Sequence, residues 1–212
     1  MVAPRSFADV VSWVVTVAFH PLLLPIYCTL LVLYTPTPYA AMPTLFKAFQ
    51  LGGVCLFECI VPLAVIGVFI ALGEVSGIDM PTRSERFRPL LFSSVTIAFS
   101  VYALRQFYPI PIIGMVIGEA SALFIAALCS RFWKISLHAI GAGAFLAYIA
   151  VTGTAFGQDF SLFAALAFVA AGVTAWARSY EQAHTPAQLL AGYVTGLAVM
   201  GLVMCLVLHQ AL

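Results

Sequence analysis

Charge is what this sequence has least of. Only 8% of its 212 residues are Asp, Glu, Lys or Arg, and 63% are hydrophobic. A water-soluble domain carries roughly 25% charged residues, so a soluble globular fold is excluded. A mean hydropathy of +1.08 suits a chain whose solvent is mostly lipid. The net charge of +1 leaves no basic stripe to neutralise phosphates along a duplex, which excludes a nucleic-acid partner. No CxxC pair and no Cys/His cluster with zinc spacing occurs. Cys28, Cys55, Cys59, Cys129 and Cys205 therefore read as small apolar filler, and no metal site is expected. Repeats and low-complexity tracts are absent too, so residues 1–212 read as a single integral membrane domain.

What is present is a series of long apolar runs. A transmembrane helix needs about 20 mainly apolar residues, and candidate spans fall at 9–34, 46–73, 90–107, 111–130, 134–153, 160–177 and 188–210. The first is too long for a signal-peptide core and reads as a span. The third and fourth are short and separated only by Tyr108-Pro109-Ile110-Pro111, where proline blocks helix continuation. The expected fold is an all-α, polytopic transmembrane helical bundle of six to seven spans. Gly114 with Gly118, and Gly192 with Gly196, form GxxxG pairs that let helix backbones approach closely in lipid.

The polar residues gather in three clusters, Asp79 to Pro89, Ser130 to His138 and Arg178 to Gln188. Two spans separate each cluster from the next. An even number of crossings returns the chain to the side it left, so all three clusters face one side of the membrane. Together they bring Arg83, Arg86, Arg88, Arg131, Lys134 and Arg178 toward one surface, with His138 and His184. Guanidinium forks match phosphate oxygens in pairs and stay charged. Imidazole titrates near neutrality and serves as nucleophile, acid or base. A cationic cup with two histidines at a bilayer surface suits a phosphate ester whose tail stays in lipid.

The spacing sharpens this reading. Arg178, five residues, then His184, three residues and Gln188 resembles the third signature of the type-2 phosphatidic acid phosphatase superfamily, Arg-x5-His-x3-Asp. Ser136-Leu137-His138 resembles the core of its second signature, Pro-Ser-Gly-His. Arg88-Pro89 resembles the end of its first, Lys-x6-Arg-Pro. The order along the chain agrees, the resemblance covers about residues 79–196, and it looks like a divergent branch of small bacterial membrane members. It implies a multi-pass protein of the bacterial cell membrane that hydrolyses a lipid phosphate or polyprenyl diphosphate without metal or cofactor. His184 would be the nucleophile, forming a phosphohistidine, and His138 would protonate the leaving oxygen. Arg88 and Arg178, with Arg83 and Lys134 nearby, would hold the phosphoryl oxygens, and Ser136 would add a hydrogen bond.

The sequence also departs from the pattern. Gln188 stands where the family has an Asp. A neutral amide can orient the His184 ring but cannot offset its charge. Pro81 occupies the lysine position, with Arg83 close enough to substitute, and the Pro and Gly of Pro-Ser-Gly-His are missing. Thr185-Pro186-Ala187-Gln188 is also a capping box for the last span, and Thr82-Arg83-Ser84-Glu85 has the same form. Arg5, Arg86 and Arg131 read as markers of topology. By charge alone the clusters would face the cytoplasm, whereas the resemblance implies an outward-facing site. Glu58 and Glu119 fall mid-span, where an ionisable group normally has a purpose. Besides the phosphatase, two other functions fit this chain: a relative that binds or moves an anionic lipid, and a structural membrane subunit whose clusters contact a partner.

Overall fold

The computed structural model describes residues 6–210, so Arg5 lies outside the described residues. Among these the chain is helical with no strand. The elements are α1 (Phe7–Ala18), α2 (Leu24–Tyr34), α3 (Thr44–Val54), α4 (Val61–Ala71), α5 (Phe87–Leu104), α6 (Ile110–Cys129), α7 (Leu137–Ala155), α8 (Ser161–Tyr180) and α9 (Pro186–His209). Six helical stretches are long and apolar enough to cross a membrane, with α3 and α4 forming one 28-residue stretch; α1 and α2, bent by 42°, make a seventh if they form one broken span.

The break in that first span has a local cause. Pro21 cannot donate to the helix ladder and disfavours helical backbone at His20. His20 adopts an extended conformation, and its Nδ1 accepts the Leu22 N–H at the start of a short 3-10 turn, Pro21–Leu23. A second proline acts differently. Pro62 lacks the N–H that would close a normal turn, and the chain opens into a π-helical turn over Cys55–Ile60 that carries Glu58.

Small residues decide which helices touch. A Cβ added at Gly192 would meet the Ser136 carbonyl oxygen, one at Gly196 the Ile140 carbonyl, and one at Gly143 the Tyr193 carbonyl. The α7–α9 seam is thus backbone against backbone, as the GxxxG spacing requires. Gly114 and Gly118 of α6 instead receive the sulfurs of Met204 and Met200 from α9. With α7 pinned to α9, both helices start on the same side, and the α7 N-cap Ser136 lies beside Gly192, six residues into α9.

The three polar clusters meet on one side. Arg83 donates to the Phe132 carbonyl at 2.7 Å, Arg86 to the Ile135 carbonyl at 2.8 Å and Lys134 to the Ala183 carbonyl at 3.0 Å. Phe7, Phe92, Phe99, Tyr102, Leu162 and Leu166 stay exposed, as expected of side chains facing lipid.

Candidate functional site

Where these loops converge lies a cavity of about 70 Å³ lined by His20, Asp79, Arg86, His138, Arg178 and His184 among others. A buried water needs roughly 10–15 Å³ of such space, so the cavity holds several waters or one phosphoryl group.

Arg178 sits in the last turn of α8 and His184 follows just beyond the helix end. Gln182 takes a left-handed φ of 54°, and Ala183 N–H closes on the Arg178 carbonyl at 3.0 Å. That reversal carries His184 back to the cavity holding Arg178, which accounts for the five residues between them. The Arg178 guanidinium is 6% exposed. It pairs with Glu181 at 2.7 Å, and its Nε is buried with no acceptor.

His184 is held by the start of α9. Its Nδ1 lies 3.1 Å from Gln188 Oε1, which also accepts the Thr185 N–H at 3.2 Å. A backbone N–H can only donate, so the atom it reaches is the amide oxygen and His184 Nδ1 must carry the proton. The Nε2 lone pair is left for the cavity. Gln188 therefore both caps α9 and orients His184. Burial pushes the His184 pKa down to about 4; the Gln188 hydrogen bond opposes this, and the charges of Arg86, Lys134 and Arg178 reinforce it. The ring is neutral, hence nucleophilic, at ordinary pH.

His138, in the first turn of α7, is buried with Nε2 at 3.3 Å from the Thr16 carbonyl. A carbonyl only accepts, so Nε2 bears the proton and Nδ1 is the free nitrogen. The His20 ring meets His138 edge-on at 5.1 Å between centroids. Thr16 also donates to Glu181 at 3.1 Å. The first span thus supplies His20 and Thr16 to the site, although the motif resemblance begins only at residue 79.

The structure divides the cations. Arg86, 3% exposed, reaches the cavity; its Nε donates to the Met80 carbonyl at 2.9 Å and its guanidinium also holds Ile135. Met80 has a left-handed φ of 45°, a strained conformation that aims its carbonyl at Arg86. No carboxylate lies within ion-pair distance of Arg86 among the described residues; the carboxylates of Asp79 and Glu85 act on it only through space, while its Nη2 donates to the Asp79 backbone carbonyl at 3.5 Å. Burial and the neighbouring Arg178 lower its pKa to about 10, so it stays charged. Arg88 is not brought to the cavity. It is 65% exposed and pairs with Glu74 at 2.8 Å, beside Arg83 and Arg131 in a separate outer depression. The reason is helical phase: residues two apart on a helix point about 200° apart, so Arg86 and Arg88 cannot face the same way. Arg86 is thus more than a topology marker. Arg131 lies over the Phe87 ring at 4.3 Å.

Two further expectations change. Ser136 is fully buried and caps α7, its Oγ accepting the Ala139 N–H at 3.4 Å, and it is not among the residues that line the cavity. Glu85 caps no helix; it clasps the preceding loop, accepting from Thr82 at 2.7 Å and Ser76 at 2.9 Å. Lys134 is half-buried beside the site, its pKa lowered first by burial and then by Arg86 and Arg178. Among the described residues no group of His, Cys, Asp and Glu could hold a metal ion.

No family model, curated protein or solved structure matches this chain.

Proposed function

We propose that this chain is a bacterial cell-membrane phosphatase, a divergent relative of the type-2 phosphatidic acid phosphatases, acting on a lipid phosphate or polyprenyl diphosphate. The observation that carries the reading is Arg86: a buried guanidinium without an ion-pair partner among the described residues, in the same cavity as Arg178 and an oriented neutral imidazole. Buried charges are normally paired, and a phosphoryl group is the partner this cavity's size and donors suit.

Chemistry follows from the ring assignments. His184 Nε2 attacks phosphorus and the bond to the lipid oxygen breaks, with Arg86 and Arg178 holding the charge that spreads over the phosphoryl oxygens. His138, protonated on Nδ1 when the anionic substrate enters, gives that proton to the leaving oxygen. It recovers a proton from the water that then cleaves the phosphohistidine, releasing phosphate. Gln188 holds Nδ1–H of His184 throughout.

The same cup would serve a relative that only binds an anionic lipid, a reading favoured by the neutral Gln188 beside the nucleophile. Purified protein assayed against several lipid phosphates and a polyprenyl diphosphate across pH 5–8 separates the two. Phosphate release by wild type, abolished in His184→Ala with lipid binding retained, supports the enzyme. No release from any of them overturns it.

A further inference from the structure

A second polar feature runs away from the cavity into the membrane. Glu119 and Ser93 also line the cavity. Glu119 Oε2 and Ser93 Oγ are buried with no hydrogen-bond partner among the described residues. Counting 1.5 Å per helical residue, Ser93 lies roughly 9 Å and Glu119 roughly 15 Å from the helix ends on the cavity side. Deeper still is Glu58, fully buried in the π-helical turn; its partner Ser100 lies thirteen residues and roughly 20 Å beyond Phe87 along α5. Glu58 Oε1 accepts from Ser100 Oγ at 2.9 Å, while Oε2 has no partner.

Beyond Glu58 the series continues to the opposite face. Tyr108 lies in the α5–α6 turn, on the side opposite the clusters, its hydroxyl against Gly53, five residues before Glu58. Its hydroxyl is buried and unpartnered, and so is Oε1 of Gln50, whose Nε2 donates to the Phe107 carbonyl at 2.8 Å. Among the described residues, half of the ten orphaned buried polar atoms, those of Ser93, Glu119, Glu58, Tyr108 and Gln50, therefore succeed one another in depth from the cavity to the opposite face. An orphaned buried polar atom is costly, and five in sequence call for a common occupant. Water satisfies such atoms where space permits, and π-helical turns mark functional positions.

We infer that Glu119 and Glu58 are the two acid stations of a water-bridged proton path connecting the cationic cavity with the opposite face of the membrane. Each carboxyl accepts a proton on one oxygen and releases one from the other, so every hop leaves the station neutral and nothing else is consumed. A metal cation is a poorer occupant: among the described residues no group of His, Cys, Asp and Glu could hold one. The thiols beside them, Cys28 lining a cavity with Glu119 and Cys59 next to Glu58 in the chain, are weak ligands for a hard cation, and among the described residues no basic side chain pairs with either acid. Intramembrane carboxylates elsewhere act as such relays.

The test is proton flux in liposomes reconstituted with the whole chain, an internal pH dye, a pH step and a potassium shunt. No phosphate ester is present, so the outcome is independent of the phosphatase reading. Wild type should dissipate the gradient at least tenfold faster than protein-free liposomes, with Glu58→Gln and Glu119→Gln each returning the rate to that baseline. If a glutamine variant fails to reconstitute, Tyr108→Phe, which adds no charge, should slow the flux severalfold. Wild-type liposomes as tight as empty ones overturn the path, and so do variants as leaky as wild type.

Discussion

The sharpest test of the site replaces Arg86, the cation that sequence motifs pass over, and compares it with Arg88, the one they select. Arg86→Gln removes a buried guanidinium 3% exposed; Arg88→Gln removes one that is 65% exposed and paired with Glu74. A hydrogen bond to a charged group contributes roughly 1.5–3 kcal/mol. A loss of about 2 kcal/mol weakens binding about 30-fold. Orthovanadate at about 100 times its wild-type Kd would stabilise the protein by about 2.7 kcal/mol, and 30-fold weaker binding leaves about 0.9. For a chain of this size the lost increment corresponds to roughly 4–7 °C of ligand-induced shift in Tm. Arg86→Gln will also lower the Tm without ligand, because the carbonyls of Met80 and Ile135 lose their donor. The shift on adding vanadate is therefore the quantity to read. Arg88→Gln loses an exposed ion pair worth about 0–1 kcal/mol and should keep the whole shift. If Arg88→Gln abolished the vanadate shift and Arg86→Gln preserved it, the assignment of the buried guanidinium would be wrong.

Gln188→Asp should raise hydrolysis, because a carboxylate offsets the charge on His184 that the amide cannot. The cap should survive, since Ser6 and Asp9 close the same box on α1; slower turnover would mean the amide belongs to this chain's own mechanism. His184 should titrate near pH 4 by nitrogen NMR of histidine-labelled protein, and a midpoint at the free-imidazole value would refute its burial among Arg86, Lys134 and Arg178. Because the folded pKa lies below the unfolded value of about 6.5, the stability it contributes is complete above that value. That contribution is lost as pH falls through 4. Gly143→Ala drives a Cβ into the Tyr193 carbonyl, which has no side chain to swing aside, and should cost about 1–3 kcal/mol. Gly172→Ala, with nothing within 4 Å, should lose none, and equal melting of the two variants would contradict the close seam.

The spans were legible to within a few residues because proline, glycine and charge punctuate apolar runs of membrane length. The meeting of three distant clusters followed from counting crossings alone. Side-chain aim was harder. Arg-Pro at 88–89 matches a signature as a string, yet Leu90, Ser93, Ile97 and Ser100 form the buried stripe of α5 and Phe92, Val95, Phe99 and Tyr102 the exposed one. Run back by whole turns, the buried stripe reaches Arg86 and the exposed stripe reaches Arg88, so helical phase read from composition would have chosen correctly. Ser136 could not be separated from a ligand by spacing, since an N-cap and a phosphate both want a hydroxyl beside a helix start. His20 carries no motif, and its ring reaches the site through a helix break at Pro21 inside what reads as one apolar span.

The bare-backbone contact between α7 and α9 ties chemistry to places far from it. Gly196 lies twelve residues beyond His184, roughly 18 Å along the helix at 1.5 Å per residue. Yet it sets the same interhelical spacing that aligns the two imidazoles at the mouth. Any bulk introduced midway down this rail tilts one helix on the other and splays His138 from His184. Inactivating changes are thus expected deep in the hydrocarbon, at positions no phosphate ever reaches.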